Sequence, residues 1–217
     1  MTQLDVRMFT VGPVQENCFI VRARGSTHAV IVDPGDEAER IMEAVRALGI
    51  EHVDAILLTH THFDHIGAVA PLARETGAPV YCPELETQVL ANVMDYVPWP
   101  GFGPFESYAA DHTVAGGETL HLAGLDVDVI FTPGHSPGHV TYAIADHDAL
   151  FSGDVLFQGS VGRVDLPGGD WPTLLASIDS LLSAYPAETT VYPGHMGITT
   201  LGRERATNPF LRELAER

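Results

Sequence analysis

Short apolar runs separated by turn residues open the chain and predict a meander of β-strands. Three such runs are rich in β-branched residues and are separated by Gly-Pro and Gly-Ser turns; they span residues 4–11, 18–23 and 29–32. The pattern then changes to helical spacing across residues 37–48, with Gly49 as a stop signal. We therefore expect the chain to begin as a sheet that continues into a helix.

The alternation of strands and helices continues through the rest of the sequence. Further strands are predicted at residues 53–58, 79–82, 119–122, 127–131, 140–145, 149–152 and 190–192, and further helices at residues 66–75, 83–94, 171–184 and 203–216. Two sheet-rich halves that each end in helices favour an α/β fold of four layers, an αββα sandwich. With 45% hydrophobic residues, residues 1–217 are expected to form a single domain with a continuous core.

Residues 95–112 interrupt this periodicity with prolines and glycines. The segment carries five aromatic side chains, Tyr96, Trp99, Phe102, Phe105 and Tyr108. A flexible linker would be polar, so we interpret the segment as a long loop that belongs to the fold. Packing under the loop is the simplest role for the aromatic side chains; walling a pocket or forming a homodimer contact are the alternatives.

Composition and charge exclude several classes of partner and compartment. The formal net charge of −18 repels phosphate backbones and anionic lipids, so neither nucleic acid nor a membrane is expected as a partner. Cys18 and Cys82 lie far apart and outside any CxxC arrangement, which argues against a disulfide framework or a thiolate zinc site. The polar residues within 1–11 are unlike a signal peptide, which predicts a cytoplasmic protein.

The densest cluster of titratable residues follows the predicted strand 53–58. His60 and His62 are two residues apart, so on an extended segment their imidazoles point the same way and can bind one ion. Asp64 and His65 come where the chain turns into the next helix, so they face a neighbouring point. This single loop is therefore predicted to supply ligands to two metal ions.

Three further candidates each lie where a strand ends and follow a glycine: His135, Asp154 and His195. A lone histidine at such a position is usually a structural residue, but three of these positions together with the HxHxDH run make that interpretation improbable. Imidazole and carboxylate ligands without thiolates suit Zn²⁺, Fe or Mn²⁺ in an open catalytic site. His139 is the one other histidine that we consider as a support for the ligands.

The same residues resemble, in identity and order, the metallo-β-lactamase superfamily, and the resemblance covers nearly the whole chain. It rests on Asp33-Pro34-Gly35, the HxHxDH motif, Gly134-His135, Asp154 and Gly194-His195. The resemblance implies the metallo-β-lactamase fold and two divalent transition-metal ions, with Zn²⁺ expected first and Fe or Mn as alternatives. One ion would be bound by His60, His62 and His135, the other by Asp64, His65 and His195, with Asp154 bridging them. Asp33 would orient the ligands through hydrogen bonds.

Residues 159–170 and 207–211 look more narrowly like the short bacterial glyoxalase II-like (hydroxyacylglutathione hydrolase-like) enzymes. This likeness implies hydrolysis of a thioester such as S-lactoylglutathione by a hydroxide shared between the ions, with Asp64 and Asp154 as the catalytic carboxylates. Arg163 stands where glyoxalase II places a lysine that contacts the glutathione carboxylate. An ion pair with Asp165 or Asp170 is an equally good interpretation. The family's glutathione-binding tyrosines are replaced by Asp165 and Gly197, and its basic C-terminal region has no counterpart in the sequence, so weak affinity for glutathione is expected.

Several other functions remain as alternatives. A persulfide dioxygenase of the same fold would use a mononuclear iron and leave other ligand positions unused. A β-lactamase is disfavoured because the hydrolysing zinc lactamases commonly carry cysteine where Asp154 stands. The acidic balance argues against a nuclease, and the full set of ligands argues against a non-catalytic binding module.

Overall fold

Residues 3–212 are described by the computed structural model of the protein. The first half contains, in chain order, β1 (Leu4–Val11), β2 (Glu16–Ala23), β3 (His28–Val32), α1 (Ala38–Ala47), β4 (His52–Leu57), α2 (Phe63–Ile66), α3 (Val69–Thr76), β5 (Val80–Pro83), α4 (Thr87–Leu90) and β6 (His112–Val114). These six strands form one sheet in sequential order. The β1–β2–β3 pairs are antiparallel and the remaining pairs are parallel.

The second half forms another six-stranded sheet. Its elements are β7 (Thr119–Leu122), β8 (Leu125–Phe131), β9 (Val140–Ile144), β10 (Ala149–Gly153), β11 (Leu156–Phe157), β12 (Ser160–Val161), α5 (Trp171–Ala184), β13 (Thr190–Pro193), β14 (Thr199–Thr200) and α6 (Leu201–Thr207). The strand order is β14-β13-β10-β9-β8-β7, with β11 and β12 as a separate hairpin. Only the pair of β10 and β13 is parallel among the described strands of this sheet.

Three hydrophobic layers hold four layers of secondary structure together, which confirms the predicted αββα sandwich. The layer between the two sheets includes Phe19, Val30, Leu57, Val129, Tyr142 and Phe151. The outer face of the first sheet packs on helices through Ile31, Ile41, Val45, Ile56 and Leu72. The outer face of the second sheet does so through Leu150, Leu174, Ile178, Leu181 and Val191. Neighbouring residues such as Val30 and Ile31 thus serve opposite faces, as the two-residue period of a strand requires.

The predicted helix at residues 83–94 is wrong as a continuous helix. The segment contains a 3₁₀ turn at Glu84–Glu86, the single turn α4 and a second 3₁₀ turn at Val93–Asp95. At Glu86 the backbone leaves the helical region, with φ −116° and ψ 0°. Its carboxylate turns inward and accepts hydrogen bonds from two neighbouring loops, which are contacts that helical periodicity does not reveal.

Other boundaries also differ from the sequence prediction. The predicted helix 66–75 is preceded by the separate turn α2 and begins at Val69. The predicted helix 203–216 ends at Thr207, because Asn208 is extended before Pro209 and a residue before proline disfavours the helical region. A 3₁₀ turn at Pro209–Leu211 follows, and the last part of that prediction lies outside the described residues. The unpredicted strands β6, β11, β12 and β14 have two or three residues each, too few to show a period.

The aromatic loop at residues 95–112 divides its side chains between two roles. Phe102, Phe105 and Tyr108 pack against the core on the outer face of the first sheet. Tyr96 and Trp99 instead line a cavity next to the predicted metal ligands. The predicted packing role is therefore confirmed for one part of the loop, while the pocket-wall alternative holds for the other. Within residues 3–212 no helix has both the length and the apolar character needed to cross a membrane.

Candidate metal centre

The seven predicted ligands come from the segments that follow four strands, and the fold brings them together. Four of them follow β4: His60, His62, Asp64 and His65. His135 follows β8, Asp154 follows β10 and His195 follows β13. The site therefore draws on both sheets. All seven side chains lie in two neighbouring groups or between them.

The first group consists of His60, His62 and His135, whose ligand atoms lie within 4.8 Å of one another. His135 Nε2 is 3.2 Å from His60 Nε2 and 2.8 Å from His62 Nδ1. The opposite nitrogen of His135 donates to the Arg163 carbonyl at 2.7 Å, because a carbonyl can only accept. His135 in its neutral form therefore points a lone pair at the other two rings.

His60 is oriented in the same way by a short relay of hydrogen bonds. Thr59 Oγ1 donates to Asp33 Oδ2 at 2.6 Å, so it is free to accept from His60 Nδ1 at 3.0 Å. This leaves His60 Nε2 as a lone pair facing His135. Nitrogen lone pairs that converge at these distances repel one another unless a cation lies among them, so the first group fits a metal ion.

The second group consists of Asp64, His65 and His195, again within 4.8 Å. His195 Nε2 lies 3.3 Å from Asp64 Oδ2. His65 Nδ1 donates to Asp33 Oδ2 at 3.1 Å, and His195 Nδ1 faces the Gln15 carbonyl at 3.3 Å. Both rings thus turn Nε2 inward. Buried His65 Nε2 has no hydrogen-bond partner among the described residues. A buried polar atom without a partner is costly, and a bound cation would supply one.

The Asp154 carboxylate lies between the two groups. Oδ2 is 3.4 Å from His135 Nε2 in the first group and 3.6 Å from His195 Nε2 in the second. Oδ1 is 3.3 Å from His65 Nε2, but neither atom has a hydrogen-bond partner in this geometry. One carboxylate therefore reaches both sets of imidazoles.

Electrostatics divide the histidines of the centre into two kinds. Burial, followed by the neighbouring histidines, keeps the pKa of His60 well below its ordinary value, and burial and His135 lower that of His62 to about 4. Burial also opposes the charge on His65 and on Asp154. For His65 the carboxylates of Asp154, Asp33 and Asp64 together outweigh burial and raise its pKa. For Asp154 the imidazoles of His65, His195 and His135 together outweigh burial and lower its pKa. His60 and His62 of the first group are thus held as neutral nitrogen donors, whereas His65 of the second group is paired with carboxylates.

Asp33 lies behind both groups and contacts residues of each. Its carboxylate accepts from the Thr59 backbone N–H at 2.7 Å, from the Thr59 hydroxyl and from His65. The third cluster of potential ligands, Asp33 with His60 and His65, arises from this supporting position. Asp33 has a left-handed φ of 48°, which directs its side chain under the loop that carries the ligands.

Two glycines allow the ligand loops to approach closely. A Cβ at Gly194 would lie 2.3 Å from Asp154 Oδ1 and 2.7 Å from His65 Cε1. At Gly153, which has a φ of +46°, a Cβ would lie 2.3 Å from Thr59 Oγ1. No larger residue fits these positions without displacing the side chains of the centre.

A family model of the metallo-beta-lactamase superfamily matches residues 11–195, a span that contains every residue of both ligand groups. The chain belongs to the metallo-beta-lactamase superfamily. The likeness inferred from the HxHxDH motif and its distant partners is therefore confirmed at the level of the superfamily, and its solved structural neighbours confirm the fold.

Curated relatives of this metallo-beta-lactamase superfamily member extend over nearly its full length. It is 39% identical over 210 residues to a probable metallo-hydrolase YqgX of Bacillus subtilis, covering 94% of this chain and 96% of that protein. It is 32% identical over 210 residues to hydroxyacylglutathione hydrolase GloC of Haemophilus influenzae, covering 96% and 98%.

Solved structures of the superfamily give a similar picture. BLEG-1 B3 metallo-beta-lactamase has a TM-score of 0.89 at 39% identity, covering 95% of this chain and 99% of that one. TTHA1623 in a di-iron-bound form has a TM-score of 0.76 at 41% identity, covering 94% and 100%. ETHE1 from Myxococcus xanthus has a TM-score of 0.76 at 25% identity, covering 94% and 83%.

Two supporting residues were not identified from the sequence. Buried Glu86 accepts from the Thr61 backbone N–H at 2.7 Å and from the Gly138 N–H at 2.9 Å, and the Ser136 hydroxyl also donates to it. It thereby joins the loop of His60 and His62 to the loop of His135. Its position in an apparently helical segment gave no signal of this role.

Asn17 supports the second group in a comparable way. Its side-chain amide donates to the Pro193 carbonyl at 3.0 Å and to the Met196 carbonyl at 2.9 Å, on either side of His195. His139, which the sequence suggested only as a support, lies beneath the centre and accepts from the Asp154 backbone N–H at 3.1 Å. The other nitrogen of its ring contacts Thr132.

Arg163 lies at the rim of the cavity beside the centre. Its Nε and Nη2 contact the two carboxylate oxygens of Asp165 at 2.6 and 2.7 Å, and its guanidinium lies 5.6 Å from the ring centre of Trp99. Asp170, the other predicted partner, instead caps α5 by accepting from the Thr173 N–H. Of the two predicted ion-pair partners, Asp165 is therefore the one that Arg163 contacts.

Proposed function

We propose that this protein is a binuclear metal-dependent thioester hydrolase of the hydroxyacylglutathione hydrolase type. The observation that carries the proposal is the position of Asp154, one carboxylate that reaches the imidazoles of both ligand groups. A centre of this form suits hydrolysis without a protein nucleophile. Ser136 does donate to Glu86 in the cavity wall, but the Glu86 oxygens already accept from the backbone N–H groups of Thr61 and Gly138. The similarity to GloC supports a thioester as the substrate.

The proposal assigns the first ion to His60, His62 and His135, the second to Asp64, His65 and His195, and the bridge to Asp154. When bound, such ions supply Lewis acidity for the carbonyl oxygen and lower the pKa of a coordinated water toward about 7. The chain's own residues fix the geometry. Asp33, the Arg163 carbonyl and the Gln15 carbonyl hold three of the imidazoles in orientation through their second nitrogens.

We further propose that Arg163 contacts a carboxylate of an anionic substrate. Asp165 now occupies its guanidinium, so the substrate carboxylate would have to replace Asp165. That exchange has a small energetic cost, because both side chains are exposed and exposed ion pairs contribute little. The role of Arg163 can therefore be tested separately from the reaction itself.

The test is an assay of protein reconstituted in turn with Zn²⁺, Fe²⁺ and Mn²⁺, together with metal analysis. We expect hydrolysis of S-lactoylglutathione, loss of activity on chelation and recovery on adding metal back. A metal-free preparation with full activity would overturn the proposal.

The similarity to ETHE1 from Myxococcus xanthus supports a second candidate, a persulfide dioxygenase, which would require iron. A relative of 41% identity was solved in a di-iron-bound form, so a centre of this kind accepts iron. Oxygen uptake with glutathione persulfide by the iron-loaded protein, without thioester hydrolysis, would favour that reaction. Turnover of a penicillin or cephalosporin in the same panel would instead indicate the activity named for BLEG-1.

A further inference from the structure

We propose that the pocket beside the metal centre selects thioesters with an apolar acyl chain and an uncharged thiol, in preference to thioesters of glutathione. This inference rests on the proposed thioester hydrolase function and specifies its substrate class. It comes from the walls of the pocket rather than from the centre.

The cavity has a volume of about 560 Å³ and opens directly onto His62, Asp64, His135 and His195. Away from these ligands its walls are mainly apolar, and they include Val93, Tyr96, Trp99, Phe157, Leu166 and Met196. A space of this size accommodates a whole small-molecule substrate. An arm attached to a thioester carbonyl at the centre would therefore lie against apolar side chains.

Four side chains that line the cavity are large, hydrophobic and exposed to solvent. The exposed fractions are 67% for Leu85, 50% for Tyr96, 41% for Trp99 and 53% for Met196, and all four residues line this one cavity. Isolated exposed apolar residues are common, but several that line one cavity indicate a binding surface. An apolar arm would remove this surface from water.

The charges of the pocket disfavour the alternative, a glutathione arm with its carboxylates. Apart from the histidines of the centre, Arg163 is the one cation among the described lining residues. Both of its pairing nitrogens contact Asp165, and its face lies over Trp99. A charged arm would therefore lose hydration against apolar walls and gain one cation that is already paired. The net charge of −18 adds a general repulsion of anions.

The first test compares thioesters of the neutral thiol N-acetylcysteamine that carry acetyl, butyryl, hexanoyl and octanoyl groups, with S-lactoylglutathione as the anionic reference. We expect kcat/KM to rise about twofold to fourfold per added methylene, the gain expected for burying each one. The octanoyl substrate should exceed S-lactoylglutathione. In the Tyr96→Ala and Trp99→Ala variants the dependence on chain length should flatten.

The matched control is Met8→Ala, because Met8 is also an exposed hydrophobic residue but does not line the cavity. Its chain-length dependence should equal that of the wild type. Hydrolysis of S-lactoylglutathione with no chain-length dependence would overturn the inference and leave the proposed function in place.

A second measurement detects binding without turnover. The sequence has two tryptophans, so Trp171→Phe leaves Trp99 as the only tryptophan to report on the cavity. The octyl thioether of N-acetylcysteamine cannot be hydrolysed, and it should change the fluorescence of Trp99 saturably. S-methylglutathione should not. Saturable thioether binding without hydrolysis of any thioester would overturn the proposed reaction but support the apolar specificity. Equal or tighter binding of S-methylglutathione would overturn the specificity.

Discussion

Asp154 is the residue at which the two candidate ligand groups meet. We expect Asp154→Ala to reduce kcat by more than about a hundredfold, because the variant loses the carboxylate that reaches both groups. The control is Asp148→Asn. Asp148 is exposed before β10 and has a left-handed φ of 47°, which asparagine tolerates better than alanine. Steady-state kinetics and metal content of both variants check the prediction, and equal activities would show that Asp154 does not bridge.

Glu86 offers a test of the first ligand group alone. In Glu86→Gln an amide nitrogen replaces one of the oxygens that accept from Thr61, Ser136 and Gly138. We expect metal affinity at the first group to fall about tenfold to a hundredfold, and the free energy of unfolding to fall by about 1–3 kcal/mol. Competition with a chromophoric chelator and thermal unfolding measure the two effects. Glu84→Gln, which alters an exposed residue two positions earlier, should change neither.

The sequence indicated the candidate ligands better than the residues that support them. His60, His62, Asp64 and His65 lie in one short loop, so their residue types and spacing carried the chemical information. Asn17 is far from His195 in the sequence, and its role depends on how two sheets dock. Asp33 was identified through a family resemblance and not through a local pattern.

At the scale of elements, Asn17 joins β2 of the first sheet to the loop after β13 of the second. Asn17→Ala leaves the carbonyls of Pro193 and Met196 without their side-chain donor and removes the clamp around His195. We expect the second group to lose metal affinity by about tenfold or more while the first group retains its ion. Co²⁺ titration followed by absorption spectroscopy distinguishes the sites. The same loss at both groups would indicate general destabilisation, and Glu86→Gln should show the opposite selectivity.

The segment between β12 and α5 carries the Arg163–Asp165 pair. We expect Arg163→Ala to raise KM for S-lactoylglutathione about twofold to fivefold, the range for an exposed ion pair, with kcat little changed. Asp165→Asn should lower the same KM because it releases the guanidinium. KM for a neutral octanoyl thioester should stay within about twofold of the wild-type value in both variants. If KM for S-lactoylglutathione does not move in either variant, Arg163 serves the loop alone.

Elements with a clear period were predicted well and those shaped by tertiary contacts were not. Residues 4–11 and 171–184 have the predicted bounds, because alternation in the strand and one apolar face in the helix are sequence-local properties. The segment 83–94 has helical spacing, yet Glu86 forms hydrogen bonds with distant loops instead. The division of the loop 95–112 between core and cavity also depends on neighbours that periodicity cannot identify.

At the scale of the whole molecule, metal removal should reduce stability as well as activity. Ions that bind the native state and not the unfolded chain stabilise it by about 2.7 kcal/mol when present at a hundred times their dissociation constant. We expect chelation to lower Tm and added Zn²⁺, Fe²⁺ or Mn²⁺ to restore it, with up to two ions bound. Differential scanning calorimetry with metal analysis measures both. Glu86→Gln and Asn17→Ala should each retain part of the rise in Tm that added metal gives. A Tm of the wild type that metal does not change would contradict metal binding by the folded centre.

The contribution of ligands by both sheets also sets the order in which the centre can be completed during protein synthesis. The N-terminal half leaves the ribosome first, so its four candidate ligands, in the loop after β4 and in α2, are available before the others. The first group must wait for His135, and the second for His195. Until the chain has been translated through His195 and the second sheet has docked, a nascent chain holds at most one complete group. Hydrolysis that needs both ions is thereby confined to the finished fold.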